Sequence, residues 1–467
     1  MARIPGLRGL IIAAAAAVIT SAGAVVVLMQ PADSTKKITG TAAAAPGLAW
    51  SVDAAATHGG AKAEFRDPTG GTEYDMSSPG FLDAGDTLVT VIATSNGGMH
   101  LQDPKMVGID AATGTVRWQT PAADLAGCGR TPVDGRLICF TTPSAQAAVI
   151  GYDIASGKVT RTPTDWNVFA LATTADRVYV AEGDVESDDV RVHSGTLADL
   201  DANWSRPFAM GTTWDDIDPD LLDVSHGQGL LTLGGQVAGF DLGTGEPTWT
   251  SNLSGCSRTA ATSTALVVRT DSDCAAHHIT GSTVLDRTGQ VIASSNNEAA
   301  HYLSLDQPTD DTIPVLLADG AHDRRTGNLV WTSPDLITKL SNTNSDNGNA
   351  TIGTATAIVG DAAILRDSDA HTMTGLDMRT GRRLWQIQTQ RWGTINAWDG
   401  QVVIQSDSTG LWAIDPKSGT TTWDIPFRAV NKNPDALTGA GQLTAHHNGR
   451  YTYATPHTLI GLRPIKR

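Results

Sequence analysis

An eleven-residue phrase recurs five times in this chain and constrains its fold more than any other feature. In each copy an Asp stands eight residues before a terminal Trp, and a Gly stands four residues before it. The copies are GIDAATGTVRW (Asp110, Gly114, Trp118), GFDLGTGEPTW (Asp241, Gly245, Trp249), AHDRRTGNLVW (Asp323, Gly327, Trp331), GLDMRTGRRLW (Asp377, Gly381, Trp385) and AIDPKSGTTTW (Asp415, Gly419, Trp423).

The chemistry of this phrase predicts a β-hairpin. The Asp carboxylate can accept hydrogen bonds from backbone N–H groups two residues later, and Gly supplies the positive φ that closes a tight turn. The Trp then lies on the returning strand, where its large apolar ring suits a buried seam and its single N–H needs one acceptor. We therefore expect each copy to be two strands joined by a turn, with a Trp that packs against a neighbouring unit.

The spacing of the copies predicts an all-β fold with a single β-propeller. Weaker copies centred on Asp153, Thr196, Asp286 and Arg463 bring the candidates to nine, and neighbouring copies are 37 to 54 residues apart. Short β-rich segments such as TLVTVIAT precede them. A period in the forties with such segments is typical of a propeller with one four-stranded blade per repeat. Because propellers usually have up to about eight blades, either one copy is not a blade or the ring is unusually large, and we favour eight.

The two ends of the repeat region predict how the ring closes. The C-terminal segment TLIGLR has no outer strand after it, whereas PGLAWSVD, at 46–53, looks like an outer strand without a blade of its own. Pairing of 47–52 with 458–463 would complete one blade and remove both exposed edges. The predicted propeller domain is therefore 46–467.

The N-terminal region predicts a membrane anchor. Residues 10–29 carry no charge and are numerous enough to cross a bilayer as a helix. We interpret them as a single transmembrane signal anchor, with 1–9 as a short cytoplasmic tail and 30–45 as a flexible linker. The alternative is a cleaved signal peptide, which would make the protein secreted. In both cases the propeller lies outside the cytoplasm.

Charge and cysteines agree with an exported protein. The formal net charge of -16 provides no basic surface for phosphates, which argues against nucleic acid as a partner. The four cysteines lie in two close pairs, and an even number in an exported chain indicates disulfides. Three pairings are compatible with the sequence. The local pairing, Cys128–Cys139 and Cys256–Cys274, closes the smallest loops and is the one that we predict.

The repeat resembles the tryptophan-docking motif of pyrroloquinoline quinone (PQQ)-like β-propellers, and the resemblance covers residues 46–467. That family implies the propeller fold but includes both quinoprotein dehydrogenases and a non-enzymatic scaffold of outer-membrane assembly. The dehydrogenases hold PQQ beside Ca²⁺, and several stack a disulfide of adjacent cysteines on the quinone. No two cysteines are adjacent here. We therefore predict no cofactor, no metal site and no catalytic residues.

Two acidic segments form the candidate binding face. Loops between blades, and those between second and third strands, share one end of a propeller, where variable loops usually carry binding. Both acidic segments fall on such loops and are interpreted as solvated binding loops. Their candidate residues are Glu186, Asp188, Asp189, Asp215, Asp216, Asp218 and Asp220.

The functional expectation follows from these observations. We expect a membrane-anchored, extracytoplasmic propeller that serves as a protein-binding or scaffold module of the bacterial envelope, with an envelope protein or polymer as its partner. The first alternative is a PQQ- and Ca²⁺-dependent alcohol or sugar dehydrogenase. The second is a ligand-sensing ectodomain. Whether the chain is an enzyme is not decided by its sequence.

Overall fold

The fold is described from a computed structural model of the protein. It covers residues 45–465, except for 74, 76, 96, 98–99, 214–220, 226, 254–256, 274–277, 340–350, 440 and 447–448. The predicted cytoplasmic tail, signal anchor and most of the linker lie outside the described residues. Within the described part, no helix combines the length and the apolar character needed to cross a membrane.

The described residues form a single β-propeller of nine blades. The prediction of eight blades was therefore wrong, although the count of nine repeats was sound. Each of the four weaker copies belongs to a blade. Those at Asp153, Thr196 and Asp286 form hairpins without the full motif, and the one at Arg463 ends β39, which pairs with the N-terminal strand. Blades are numbered here in chain order, and the last is completed by the N-terminal strand.

The first three blades are regular antiparallel sheets, and blade 1 carries a short extra strand. The N-terminal strand β1 is Gly47–Asp53. Blade 1 contains β2 (Ala63–Arg66), β3 (Leu82–Asp83), β4 (Thr87–Ser95), β5 (Leu101–Asp110) and β6 (Val116–Pro121). Blade 2 contains β7 (Leu125–Cys128), β8 (Arg136–Thr141), β9 (Ala148–Asp153) and β10 (Val159–Pro163). Blade 3 contains β11 (Val168–Thr173), β12 (Val178–Asp184), β13 (Asp189–Gly195) and β14 (Trp204–Phe208).

The middle of the ring contains one irregular blade. Blade 4 contains β15 (Leu222–Ser225), β16 (Gln228–Leu233), β17 (Gln236–Asp241) and β18 (Pro247–Asn252), and blade 5 contains β19 (Arg258–Ala261), β20 (Val267–Asp273), β21 (His278–Leu285) and β22 (Val291–Ser295). Strand β23 (Leu305–Pro308) precedes blade 6, which has only β24 (Val315–Leu317), β25 (Gly320–His322) and β26 (Leu329–Thr332). A separate hairpin follows, β27 (Ile337–Lys339) and β28 (Thr351–Gly353).

The last three blades complete the ring. Blade 7 contains β29 (Ala355–Gly360), β30 (Ala362–Asp367), β31 (Thr372–Asp377) and β32 (Arg383–Gln388), and β23 joins it as a parallel fifth strand beside β29. Blade 8 contains β33 (Thr394–Trp398), β34 (Val403–Asp407), β35 (Gly410–Ile414) and β36 (Thr421–Pro426). Blade 9 contains β37 (Gln442–His446), β38 (Arg450–Ala454) and β39 (Thr458–Arg463), with β1 as its outer strand. The short helices α1 (Ala54–His58) and α2 (Phe427–Val430) lie in connections.

The ring is closed by the two ends of the described chain. Strand β1 pairs antiparallel with β39, from Gly47 opposite Arg463 to Asp53 opposite Thr458. These are the two segments that the sequence analysis placed side by side. The pairing gives blade 9 its outer strand, so the ring does not end in an unpaired strand at this point.

Tryptophan side chains fasten five of the blades to the next blade along the ring. The Trp118 indole donates to the Ile154 carbonyl of blade 2 at 2.8 Å, and the Trp385 indole donates to the Pro416 carbonyl of blade 8, also at 2.8 Å. In each case the acceptor follows the repeat Asp of the neighbouring blade directly. The same bond is made by Trp50, Trp204 and Trp331. We call this contact between neighbouring blades the docking pair.

Two glycines enclose the docked rings of Trp50, Trp118 and Trp385. In blade 1, Gly108 lies directly opposite Trp118 across the β5–β6 pairing, and a Cβ on Gly108 would come within 2.3 Å of the indole. On the other side, the turn residue Gly157 of blade 2 has φ of +70° and would bring a Cβ within 2.5 Å of the same ring. A side chain at either position would displace the indole. The motif glycine therefore serves both the turn and the packing of Trp.

The motif Asp holds the turn. In blade 7 the Asp377 carboxylate accepts from the backbone N–H groups of Arg379 and Thr380 at 3.0 and 2.8 Å, and also from the Thr380 hydroxyl. The Gly381 N–H donates to the Asp377 carbonyl at 2.8 Å. The predicted Asp–Gly turn is thus formed by local bonds, which satisfy backbone groups that would otherwise be unpaired at the hairpin.

A disulfide joins the first two strands of blade 2. Cys128 and Cys139 face each other across the β7–β8 pairing and are bonded. Cys256 and Cys274, which the sequence analysis also paired, lie outside the described residues.

The docking pair makes a prediction about stability. Replacing the buried Trp118 with Ala removes a ring enclosed by two glycines, which no neighbour can refill, so we expect a loss of about 3 to 5 kcal/mol in the free energy of unfolding. Trp166, which is 52% exposed, is the matched control, and Trp166→Ala should change stability by less than about 0.5 kcal/mol. Urea unfolding curves of the two variants test this. Equal effects would contradict the docking role.

A buried histidine makes a second prediction. His301 bridges the Ala318 carbonyl, at 2.7 Å, and the Ala355 N–H, and burial lowers its pKa from 6.5 to about 4. Below pH 6.5 the unfolded chain takes up a proton that the folded state refuses until about pH 4, so stability falls as the pH falls through this window, by up to about 3 kcal/mol. In His301→Gln this part of the pH dependence should disappear. Urea titrations of both proteins between pH 4 and pH 7 measure the difference, and parallel curves would refute it.

Candidate functional site

The seam between blades 2 and 3 is the one place in the ring where both the motif Trp of one blade and the motif Gly of the next are missing. Arg161 stands where the repeat of blade 2 calls for Trp, and Leu200 stands where the hairpin of blade 3 calls for Gly. Leu197 fills part of the gap, since a Cβ on Gly151 would meet its side chain at 2.3 Å. The outer part of this seam is open.

A groove of about 290 Å³ occupies the open part of the seam. It is bordered by the connection between the two blades and by the outer strands of blade 3. Its lining residues are Asp165, Trp166, Glu182, Gly183, Asp189, Arg191, His193, Asp201 and Ser205. We call this cavity the seam groove.

Strand β13 supplies the floor of the seam groove by simple alternation. Asp189, Arg191 and His193 are two residues apart and therefore point to the same side of the sheet. Val190 and Val192 point to the other side and are buried in the core between blades 3 and 4. The polar side of β13 is thus directed into the seam because its apolar side is held by the core.

His193 is held between two carboxylates at the inner end of the groove. Its Nε2 lies 3.1 Å from Glu182 Oε1, and its Nδ1 is in close contact with Asp201 Oδ1. Both His193 and Glu182 are more than nine-tenths buried. Burial acts to lower the pKa of His193, but the two neighbouring carboxylates, Glu182 and Asp201, outweigh it and raise the pKa above its ordinary value of 6.5. The cluster therefore favours the imidazolium form.

The mouth of the groove carries an exposed indole. Trp166 lies on the connection between β10 and β11 and is 52% exposed, whereas the docked Trp residues 50, 118, 204 and 385 are buried. The Thr164 hydroxyl donates to the Trp166 carbonyl at 2.9 Å, which fixes the backbone of this connection. Asp165, beside it, is also exposed.

The candidate acidic residues of blade 3 lie directly beside the groove. Glu186 and Asp188 are exposed on the turn between β12 and β13, and Asp189 lines the groove itself. Asp184 holds this turn by accepting from the Glu186 N–H at 3.1 Å. We call residues 184–189 the acidic turn.

The chain that leads into the second acidic segment is bonded to the acidic turn. The Thr212 N–H donates to the Val185 carbonyl at 2.9 Å, so the chain entering this segment is bonded to the acidic turn. The predicted candidates Asp215, Asp216, Asp218 and Asp220 themselves lie outside the described residues.

The family of the chain can now be stated. A family model described as outer membrane protein assembly factor BamB matches residues 49–315 and 318–446. The chain belongs to this family. Its PQQ-like repeat, expected from the sequence, is confirmed by the match. No protein with a curated function matches the chain in sequence.

Solved structures with a similar fold are distant from this BamB-family chain. BamB from Moraxella catarrhalis is 15% identical, with 74% of this chain and 93% of that chain covered and a TM-score of 0.34. Quinohemoprotein alcohol dehydrogenase from Comamonas testosteroni is 12% identical, with coverages of 88% and 77% and a TM-score of 0.42. The computationally designed Ika8 protein is 14% identical, with coverages of 78% and 99% and a TM-score of 0.41. Scores this low add nothing to the assignment of function.

The residues that would hold PQQ with Ca²⁺ are not assembled in the described part of this BamB-family chain. There, no three His, Cys, Asp or Glu side chains are arranged to bind a metal ion. The two cysteines described are bonded across neighbouring strands rather than adjacent in sequence. These residues do not fit the cofactor, and no chemistry is derived through it.

The sequence analysis missed Trp166, Glu182, Arg191, His193 and Asp201. A signal for them was present, since blade 2 lacks the motif Trp and blade 3 lacks the motif Gly, and the two blades are neighbours. By themselves, these two departures look like weak copies of a structural repeat. Where both blades at a seam lack their motif residue, Trp packing cannot close the seam, and such a departure from the repeat indicates a candidate functional site.

The carboxylate pair around His193 makes a prediction. The raised pKa of His193 should fall in Asp201→Asn, because one of its two carboxylate partners loses its charge. Asp201 is 62% exposed at its side chain, so the variant should fold. The titration can be followed by NMR of histidine-labelled protein, with His193→Gln to assign the signal and Asp176→Asn, on the turn between β11 and β12, as the charge control.

The raised pKa of His193 also determines how this residue's contribution to stability depends on pH. Because the folded pKa lies above the unfolded one, the stabilisation is complete below pH 6.5 and is lost as the pH rises through the folded value. A His193 pKa that does not respond to Asp201→Asn would show that the pair does not hold the proton.

Proposed function

We propose that this protein is a protein-binding scaffold of the bacterial envelope and that it binds its partner through the acidic turn and the seam groove of blade 3. The partner surface is basic. The propeller lies outside the cytoplasm, anchored by residues 10–29 as a single membrane span.

One observation carries the proposal. The seam between blades 2 and 3, which lacks both the motif Trp and the motif Gly, opens into a groove lined by four carboxylates, and the exposed acidic turn lies beside it. The repeated Asp, Gly and Trp residues are committed to turns and to docking, so they explain the scaffold and not its use. The acidic turn and the groove are what distinguish blade 3 from the blades built around the full repeat.

Charge supports a basic partner. Glu186 and Asp188 are exposed, no cation is paired with either among the described residues, and the whole chain has a formal net charge of -16. A field of this sign accelerates the approach of a basic surface and opposes an acidic one, and salt weakens both effects. Family membership agrees with an envelope role, since the family description names outer membrane protein assembly.

The proposal predicts a partner whose capture depends on the acidic turn. Crosslinking followed by affinity capture from membranes should recover an envelope protein with the natural chain, and at least about fivefold less with Glu186→Gln/Asp188→Asn, because two charges facing the partner are lost. Asn is chosen because Asp188 has φ of +56°, which Asn tolerates. Raising the salt concentration should reduce capture by the natural chain in the same way.

The matched control removes two charges from the opposite end of the blades. Asp176 and Glu246 are exposed on turns at that end, and Asp176→Asn/Glu246→Gln should leave capture unchanged. Equal capture by both double variants would reject the acidic turn as the binding surface. Capture of no envelope protein by the natural chain would favour the ligand-sensing alternative.

A further inference from the structure

We propose that the seam groove is a socket for a cationic side chain, a Lys or an Arg, on a basic segment of the partner protein. This inference rests on the proposed function and specifies what the partner must insert. The inserted side chain would carry a positive charge at the end of a long methylene chain.

The charges of the groove are unbalanced. Its lining has four carboxylates and only two basic groups, namely Asp165, Glu182, Asp189 and Asp201 against Arg191 and His193. Even with His193 protonated, the groove is two charges short of neutrality. An entering cation would reduce this excess, whereas an anion or a neutral apolar group would not.

The deepest carboxylate is incompletely satisfied. Glu182 is 8% exposed, and its only ion-pair contact among the described residues is with His193 Nε2, at 3.1 Å. That nitrogen is buried and makes no hydrogen bond, so the contact is close but poorly aligned. Buried carboxylates normally accept hydrogen bonds from several donors. Glu182 therefore retains acceptor capacity that is directed into the groove.

Trp166 supplies an independent indication of the ligand. It is not a docking residue, it is 52% exposed, and it borders the groove rather than the core. The face of an indole attracts ammonium and guanidinium groups, and its apolar surface accommodates the methylene stem of Lys or Arg. An exposed Trp beside buried carboxylates is suited to such a side chain.

The dimensions agree with a side chain and not with a folded surface. A cavity of about 290 Å³ that is open on one side holds one long residue. The acidic turn next to it would contact the flanking residues of the same basic segment. Arg191, whose guanidinium donates to the Ser205 hydroxyl at 3.2 Å, lies on the groove floor.

The test is a titration of the purified full chain with short peptides. The probes are acetyl-Gly-Lys-Gly-amide and acetyl-Gly-Arg-Gly-amide, with the Nε-acetyl-lysine and glutamate versions as chemical controls. We expect calorimetry to show saturable binding of the Lys or the Arg peptide and at least about tenfold weaker binding of both controls, since they lack the positive charge. Binding of the acetylated peptide as tight as that of the Lys peptide would overturn the proposal.

Variants locate the binding in the groove. Glu182→Gln should weaken the cationic peptide about tenfold and Trp166→Ala about fivefold, because they remove the buried charge and the indole face respectively. Tyr302→Ala, at an aromatic that is 70% exposed elsewhere on the ring, is the matched control and should bind normally. Thermal unfolding confirms that each variant is folded. If Glu182→Gln is unstable, Trp166→Ala still tests the proposal, because Trp166 is exposed and its loss should not unfold the chain. Unchanged binding in Trp166→Ala would overturn the proposal.

The outcome for the groove can be separated from that for the proposed function. If the peptides fail to bind while the acidic-turn variant still loses its envelope partner, the socket is refuted and the scaffold stands. If the peptides bind in the groove but partner capture does not depend on the acidic turn, the socket stands and the proposed binding mode fails.

Discussion

The interaction on which the ring depends is the docking of one indole on the next blade. Each docked Trp donates to a backbone carbonyl of the neighbouring hairpin and packs against the turn glycine of that hairpin. The contact combines burial of a large ring with a satisfied N–H, so it is both strong and specific in position. Because its acceptor sits next to the Asp that holds the hairpin, turn and seam are formed by the same few residues.

This coupling explains why weak copies of the repeat still make blades. At the seam between blades 4 and 5, Gln228 donates to the Arg287 carbonyl, and the Trp249 indole nitrogen has no hydrogen-bond partner among the described residues. The Trp249 ring nevertheless packs on Gly289, so packing persists where the hydrogen bond is lost. Blade 6 retains only three strands, and its missing strand is added to blade 7 in parallel. The ring tolerates these losses because β pairing within each blade is independent of them.

The groove between blades 2 and 3 forms because Trp docking is absent at this seam. Without Trp on one side and Gly on the other, the outer part of this seam is not filled, and the polar side of β13 is left facing an opening. The buried His193 and Glu182 give this opening a defined charge, and Trp166 gives it an apolar wall. A local defect in a structural repeat has thereby become the most chemically distinctive part of the described molecule.

By itself, the sequence determined the propeller, the Asp–Gly turns and the pairing of 47–53 with 458–463, because these depend on local spacing and on strand alternation. It did not determine the number of blades, since a general expectation of eight outweighed nine visible copies. Only the tertiary structure brought Asp165, Glu182, His193 and Asp201 together, because they lie on the connection that enters blade 3 and on three successive segments of that blade, which meet only when the sheet is formed. The alternation of side chains along one strand is a local property. Whether a seam is filled or left open depends on residues from both of the blades that form it.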